Sequence, residues 1–218
     1  TSAQKQVHRK EAQSHYDSII SIHIPQAMSG TYQSALNASN QIKNSNISVI
    51  DGFSASVGLG LIVMQAASLV KEGKNHSQII NTLPKIIAYT NIFIVVKDLK
   101  YVVKGGRLPS WIKTTANLLH IRPIMTTKEN GSMGAAGVLY GLSNIPGKLS
   151  KFVLKKMKAK ESYNISIAHS NSLQDGKYVL DLIKKRHKNI NSINLIDMGC
   201  ALGVHAGPGS LAIAIQPI

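Results

Sequence analysis

The first 90 positions alternate between short, β-rich apolar runs and longer stretches with apolar residues at helical spacing. The run Ser18–Ile24 is typical of a buried strand, and Asn46–Asp51 indicates a second strand. The stretches that follow them predict helices over Gly30–Gln41, Ser54–Val70 and Gln78–Thr90. Because strands that alternate with helices pair side by side through crossover connections, this half of the chain predicts a parallel sheet.

From residue 91 onward, hairpins and helices are mixed. The sequence predicts four helices, over Leu99–Lys104, Trp111–Leu119, Ile145–Lys158 and Gln174–Lys188. It predicts six strands, over Phe93–Val96, Arg122–Lys128, Ala135–Tyr140, Tyr163–Ala168, Asn191–Asp197 and Leu211–Ile215. Asn130-Gly131 is a hairpin-turn pair. We therefore expect an α/β protein of two lobes, a parallel-sheet βαβ N-terminal lobe (residues 1–90) and a mixed α+β C-terminal lobe (residues 91–218).

Polar loops follow both strands of the predicted parallel sheet, at Gln26–Thr31 and Gly52–Gly60. Ligands of such sheets bind at the carboxyl ends of the strands, so these loops are the first place to expect a site. Ser29 directly precedes a helix and suits the role of a cap. Equally, the Ser29 hydroxyl and the N–H groups of Gly30 and Thr31 suit an anion, because a helix start exposes free donors and partial positive charge.

The formal net charge is +15, so anionic partners must also be considered. Residues 1–90 hold 7 Lys and Arg against 4 Asp and Glu, whereas residues 91–218 hold 18 against 6. One interpretation is a nucleic-acid-binding protein. However, aromatic residues make up only 5% of the chain, so stacking platforms are not evident. A solvated lysine-rich surface is the plainer interpretation, and we expect no nucleic-acid partner.

Several function classes lack their motifs. The sequence contains neither GxGxxG nor a Walker A loop, no Cys/His group at zinc spacing and no catalytic triad order. These absences disfavour a stand-alone enzyme, and we expect no metal. The uncharged stretch Gly52–Val70 has too short an apolar core to span a membrane. Cys200 is the single cysteine, which suits a reducing cytoplasm.

His205 lies in the glycine-rich segment 203–209, which we predict to be an irregular loop beside the final strand. Its ring could donate to a carboxylate or bridge the loop structurally. Similarly, Lys104-Gly105-Gly106-Arg107 is a basic turn that could contact phosphate or simply end a helix.

Six ordered segments together resemble the DegV family of bacterial fatty-acid-binding proteins. They are Thr1-Ser2-Ala3-Gln4, Met28-Ser29-Gly30-Thr31-Tyr32-Gln33-Ser34-Ala35, Val49-Ile50-Asp51 with Ser56-x-Gly58-x-Gly60, Asp98-Leu99-x-Tyr101-x-x-Lys104-Gly105-Gly106-Arg107, Leu118-Leu119-x-Ile121-Arg122-Pro123-Ile124 and His205-x-Gly207-Pro208-Gly209. The chain departs from the family pattern at its start, where Ala3-Gln4 replaces Gln-Pro. Several dozen residues that precede this point in the family have no counterpart, so the N-terminal lobe is expected to be incomplete.

The resemblance implies two α/β lobes of the EDD fold with one bound long-chain fatty acid, such as palmitate, stearate or oleate. The carboxylate would meet Thr1 or Ser2, Ser29, Gly30 and His205. Leu59, Ile62, Leu118 and Leu119 lie on apolar helices and are candidates for the tail pocket, although such stripes equally form cores. The resemblance also implies a carrier rather than an enzyme, and we expect this carrier to be cytoplasmic and monomeric. A separate fatty acid kinase would make an acyl phosphate for phospholipid synthesis.

Overall fold

The computed structural model describes residues 16–42, 46–108 and 120–218. Thr1, Ser2, Leu118 and Leu119 lie outside the described residues, and so does the helix predicted over Trp111–Leu119. Within the described ranges the chain forms eight strands and seven helices, and most of them coincide with an element predicted from the apolar pattern.

The strands, in chain order, are β1 (Ile19–His23), β2 (Ile47–Asp51), β3 (Asn91–Val95), β4 (Ile121–Thr127), β5 (Met133–Tyr140), β6 (Tyr163–Ser170), β7 (Ile190–Asp197) and β8 (Ser210–Pro217). The helices are α1 (Thr31–Asn40), α2 (Ser56–Lys71), α3 (His76–Tyr89), α4 (Lys100–Lys104), α5 (Ile145–Leu154), α6 (Leu173–Arg186) and α7 (Cys200–Ala206). None of these helices in the described ranges is both long and apolar enough to cross a membrane.

The strands form two sheets. β1 and β2 pair in parallel, from Ile19 beside Ile47 to His23 beside Asp51, which confirms the predicted parallel sheet. The second sheet has the order β5-β4-β3-β8-β6-β7, and β6 and β7 are its parallel pair. β4 and β5 form the predicted hairpin, with Gly131 at a φ of +77° in the turn. The α/β fold class is thus confirmed, while the division into lobes at residue 91 stays a prediction.

The central strand β8 presents large side chains on one face and small ones on the other. Leu211, Ile213 and Ile215 belong to a core that includes side chains of α5 and α6. Ala212 and Ala214, at the alternate positions, belong to a second core with residues of α2 and α4. Successive side chains of a strand point to opposite faces. The methyl group of alanine extends only a short distance from the sheet. On this face, neighbouring elements can therefore pack close to the strand, or a cavity can remain between them and the sheet.

Helix α2 lies between the two sheets. Leu61 packs in the core on the alanine face of the large sheet. One residue on, Ile62 is fully buried in another core, together with Leu83 of α3 and the isoleucines of β1 and β2. A helix that is apolar on two sides therefore connects the sheets.

The prediction of an irregular loop over residues 203–209 is wrong at its start, because α7 continues to Ala206. Gly207 ends the helix at a φ of +74°, with the ring of Tyr101 packed where a side chain would otherwise stand. The seven-residue helix was not evident from sequence, since it is short and contains Gly203. Packing against α4 stabilises it.

Candidate functional site

The two polar loops that follow β1 and β2 are held together by one carboxylate. Asp51, the last residue of β2, accepts a hydrogen bond from the backbone N–H of Gln26 at 3.1 Å and another from Phe53 at 2.9 Å. The Gly52 N–H donates to the carbonyl of His23 at 2.8 Å. Both loops therefore meet at the carboxyl edge of the small sheet, where a parallel sheet places ligands.

A cavity of about 330 Å³ lies where these loops face the alanine side of the large sheet. The loops contribute Ile24, Met28, Ser29, Thr31, Ala55 and Ser56 to its wall. The large sheet, its flanking segments and helices α4 and α7 contribute Ile94, Val96, Val102, Arg107, Met125, Met133, Met198, Ala201, Leu202, His205, Ala206 and Ala212. Most of this wall is apolar, with a few polar groups, an arrangement typical of small-molecule sites.

Ser29 lines the cavity and also supports the start of α1. The helix begins at Thr31 with Gly30 as the N-cap residue, one residue later than predicted. The Ser29 Oγ accepts a hydrogen bond from the Thr31 N–H at 3.3 Å. A serine hydroxyl can donate one hydrogen bond while it accepts others. The prediction that Ser29 is the N-cap residue is therefore wrong: Ser29 supports the helix start from one position before the cap, and its O–H can still donate to an anion.

Gly30 has space around it. Its φ of −69° is one that any residue adopts, and a Cβ built there would have no described atom within 4 Å. Neither backbone conformation nor packing within the described chain thus requires a glycine at this position.

Arg107 brings a positive charge to the cavity wall. It follows α4, and its guanidinium donates to the carbonyl of Met28 at 3.2 Å and to the carbonyl of Gly105. These bonds connect the end of α4 with the loop that carries Ser29. Sequence reasoning recognised the basic turn but did not assign Arg107 to the site. No carboxylate lies among the described residues of the wall.

His205 reaches the same cavity from α7, where Ala201 and Leu202 share its face one turn earlier. Its ring packs against Gly105, so closely that a Cβ there would collide with Nδ1. The structure thus brings Ser29, Arg107 and His205, from three separate segments, to one cavity.

The two tail-pocket candidates within the described residues lie elsewhere. Ile62 is fully buried in the core between α2, α3 and the small sheet. Leu59 is directed toward Gly52, at the end of β2. Neither lines the cavity. Its apolar wall includes Met125 and Met133, which sequence reasoning did not assign, because residues scattered over separate strands share no local pattern.

Across residues 16–42, 46–108 and 120–218, no three His, Cys, Asp or Glu side chains lie close enough to hold a metal ion.

Fold and cavity together define an α/β protein with two sheets and a largely apolar cavity that adjoins a polar helix start. The chain belongs to the DegV family, whose model, described as an uncharacterised protein family, matches residues 2–217. A DegV domain-containing protein of Clostridium perfringens is 31% identical over 201 residues, which are 92% of this chain and 71% of that protein.

Several solved structures share the fold of this chain. A fatty acid binding DegV family protein from Streptococcus agalactiae is 25% identical, with a TM-score of 0.84 over 100% of this chain and 77% of that chain. A stearic acid-binding protein from Eubacterium ventriosum is 20% identical, with a TM-score of 0.85 over 100% of this chain and 76% of that chain.

Proposed function

We propose that the chain binds one long-chain fatty acid, with the carboxylate at Ser29, Arg107 and His205 and the tail in the adjoining apolar cavity. The observation that carries this proposal is that these three polar side chains share one otherwise largely apolar wall. The fatty-acid binding of the Streptococcus agalactiae relative, 25% identical to this chain, supports the same ligand class.

The chemistry of the wall suits a fatty acid at both ends. Burial of each CH₂ contributes about 0.8 kcal/mol, so a long tail supplies most of the affinity. The carboxylate needs partners, because an unpaired buried charge costs several kcal/mol. The Ser29 hydroxyl and the N–H of Gly30 provide neutral donors at a helix start. The guanidinium of Arg107 provides a planar fork that matches a carboxylate.

Thr1 or Ser2 would add a further hydroxyl, and Leu118 and Leu119 would extend the apolar wall. Thr1 and Ser2 enter the proposal from the family resemblance, and Leu118 and Leu119 enter it from the apolar helix predicted over Trp111–Leu119. Leu59 and Ile62 would act indirectly, by holding α2 and the loop after β2 beside the cavity.

We further propose that the protein is a cytoplasmic carrier, which presents its fatty acid to a separate kinase that makes an acyl phosphate for phospholipid synthesis. The sequence has no Walker A or GxGxxG loop with which to hold a nucleotide itself. In such a carrier, the carboxylate must stay near the surface while the tail is buried. Arg107 and Gly30, both exposed, suit that requirement.

The test is to purify the protein, measure its intact mass under native conditions, denature it and identify any extracted lipid by mass spectrometry. We expect one fatty acid per chain, and rebinding of added palmitate or oleate after delipidation. A lipid-free protein that binds neither acid would refute the proposal. The kinase step is tested separately, by adding loaded protein and ATP to a fatty acid kinase and measuring acyl phosphate.

A further inference from the structure

Four of the chain's six methionines line the cavity. They come from separate segments: Met28 from the loop before α1, Met125 from β4, Met133 from β5, and Met198 from the residues after β7. The other two lie elsewhere, Met64 exposed on α2 and Met157 in the core on the opposite face of the large sheet. Methionine is thus concentrated at the cavity in which we propose that the fatty acid binds.

Two other residues of the wall differ in stiffness from the methionines. Ile94 and Val96, on and just after β3, are buried and β-branched, so their side chains have few alternative rotamers. A methionine side chain is unbranched, has three rotatable bonds and fills irregular gaps. Met125 is 2% exposed, whereas Met28, Met133 and Met198 are only partly buried. The cavity therefore combines a stiff wall with an adaptable one.

We propose that this methionine wall makes the site tolerant of tail shape, so that straight saturated and kinked cis-unsaturated acids of equal length bind with similar affinity. The inference rests on the proposed fatty-acid function and specifies its substrate class. The physical reason is that flexible thioether side chains repack around either shape, whereas a branched side chain of similar volume fits one shape and clashes with or leaves gaps beside the other.

The experiment compares stearate with oleate, which have the same length and differ by one cis double bond. For the delipidated protein we expect dissociation constants within about threefold of each other, as an adaptable pocket predicts. In the triple variant Met125→Leu/Met133→Leu/Met198→Leu, we expect the two constants to separate by about tenfold, the lower end of what a shaped apolar pocket achieves. Leucine conserves volume, so the variant should fold.

The matched control is Met64→Leu/Met157→Leu, which makes the same chemical change away from the cavity and should leave the ratio of the constants unchanged. Tenfold discrimination by the unaltered protein would overturn the inference, and so would an unchanged ratio in the triple variant. If thermal unfolding shows that the triple variant is not folded, the single variants Met133→Leu and Met198→Leu are compared in the same way. Binding of neither acid by the unaltered protein would instead refute the fatty-acid function itself.

Discussion

The imidazole ring of His205 lies directly against the α-carbon of Gly105. A Cβ at Gly105 would collide with Nδ1 of this ring and stand 3.1 Å from its Cε1. The φ of Gly105 is −71°, a value that any residue adopts, so the backbone conformation does not require a glycine here. The position of the neighbouring His205 ring does require a glycine. The basic turn after α4 is therefore coupled to the histidine of the cavity wall.

Replacement of Gly105 by alanine should therefore displace His205 from the cavity. We expect Gly105→Ala to weaken fatty-acid binding by about ten- to a hundredfold, the cost of one lost hydrogen bond to a charged group. Binding is measured by isothermal titration and folding by thermal denaturation. Gly199→Ala is the control, because a Cβ at Gly199 has no described atom within 4 Å. Equal affinity of the two variants would contradict a role for the His205 position.

Removal of the Ser29 hydroxyl should weaken binding of the carboxylate. Ser29→Ala loses a donor to the ligand and the bond that Oγ accepts from the Thr31 N–H. We expect a loss of about 1–2 kcal/mol in binding and of about 0.5–1 kcal/mol in stability. Ser34→Ala, one turn along α1 and away from the cavity wall, is the matched control. Unchanged affinity of Ser29→Ala would show that this hydroxyl does not bind the carboxylate.

Gly30→Ala separates the ligand's requirements from those of the fold. No described atom lies within 4 Å of a Cβ built at this position, so we expect a free energy of unfolding within about 0.5 kcal/mol of the parent protein's. A carboxylate that approaches the backbone at the helix start would meet the new methyl group, and its affinity should fall severalfold. Stability is measured by denaturant unfolding, and affinity is measured by titration with the fatty acid. Full affinity would show that the ligand does not approach this glycine.

Arg107→Gln tests the cation of the wall. It removes the guanidinium charge and the bond to the Met28 carbonyl while keeping an N–H donor on a shorter side chain. We expect affinity to fall by about 1.5–3 kcal/mol, the usual contribution of a hydrogen bond to a charged group, and to depend less on salt than in the parent protein. Lys104→Gln removes an exposed charge nearby that does not line the cavity. An equal effect of both variants would indicate a general rather than a local electrostatic attraction.

Two alanines on the same face of β8 should respond differently to enlargement. Ala212 borders the cavity and Ala214 does not, although both are fully buried. Ala212→Val should extend into free space, keep stability and weaken binding of an eighteen-carbon acid. Ala214→Val should overpack the core against α2 and lower stability by about 1–3 kcal/mol. Titration and thermal denaturation of both distinguish the outcomes, and the reverse pattern would mean that the tail does not lie against Ala212.

The local elements of this protein were largely predictable because each is encoded in a short periodic pattern. The apolar run at Ser18–Ile24 became β1, and Asn130-Gly131 became the turn of the β4–β5 hairpin. α7 was the exception in the described chain. Its sequence, with Gly203 in the middle, has little helical preference of its own, and the helix depends on packing against α4.

By itself, the sequence determined the parallel pairing of β1 with β2 and the polar loop that carries Ser29 at their carboxyl edge, because strand–helix alternation restricts how neighbouring strands can pair. The family resemblance placed His205 beside Ser29, but only the tertiary structure decided that Arg107 faces the same cavity, since these segments meet through packing. The tertiary structure also decided that Ile62 packs in the core between α2, α3 and the small sheet, whereas Met125 lines the cavity. Helical and strand periods in the sequence indicate which residues are buried. The positions of neighbouring elements determine whether a buried residue packs against another side chain or lines a cavity.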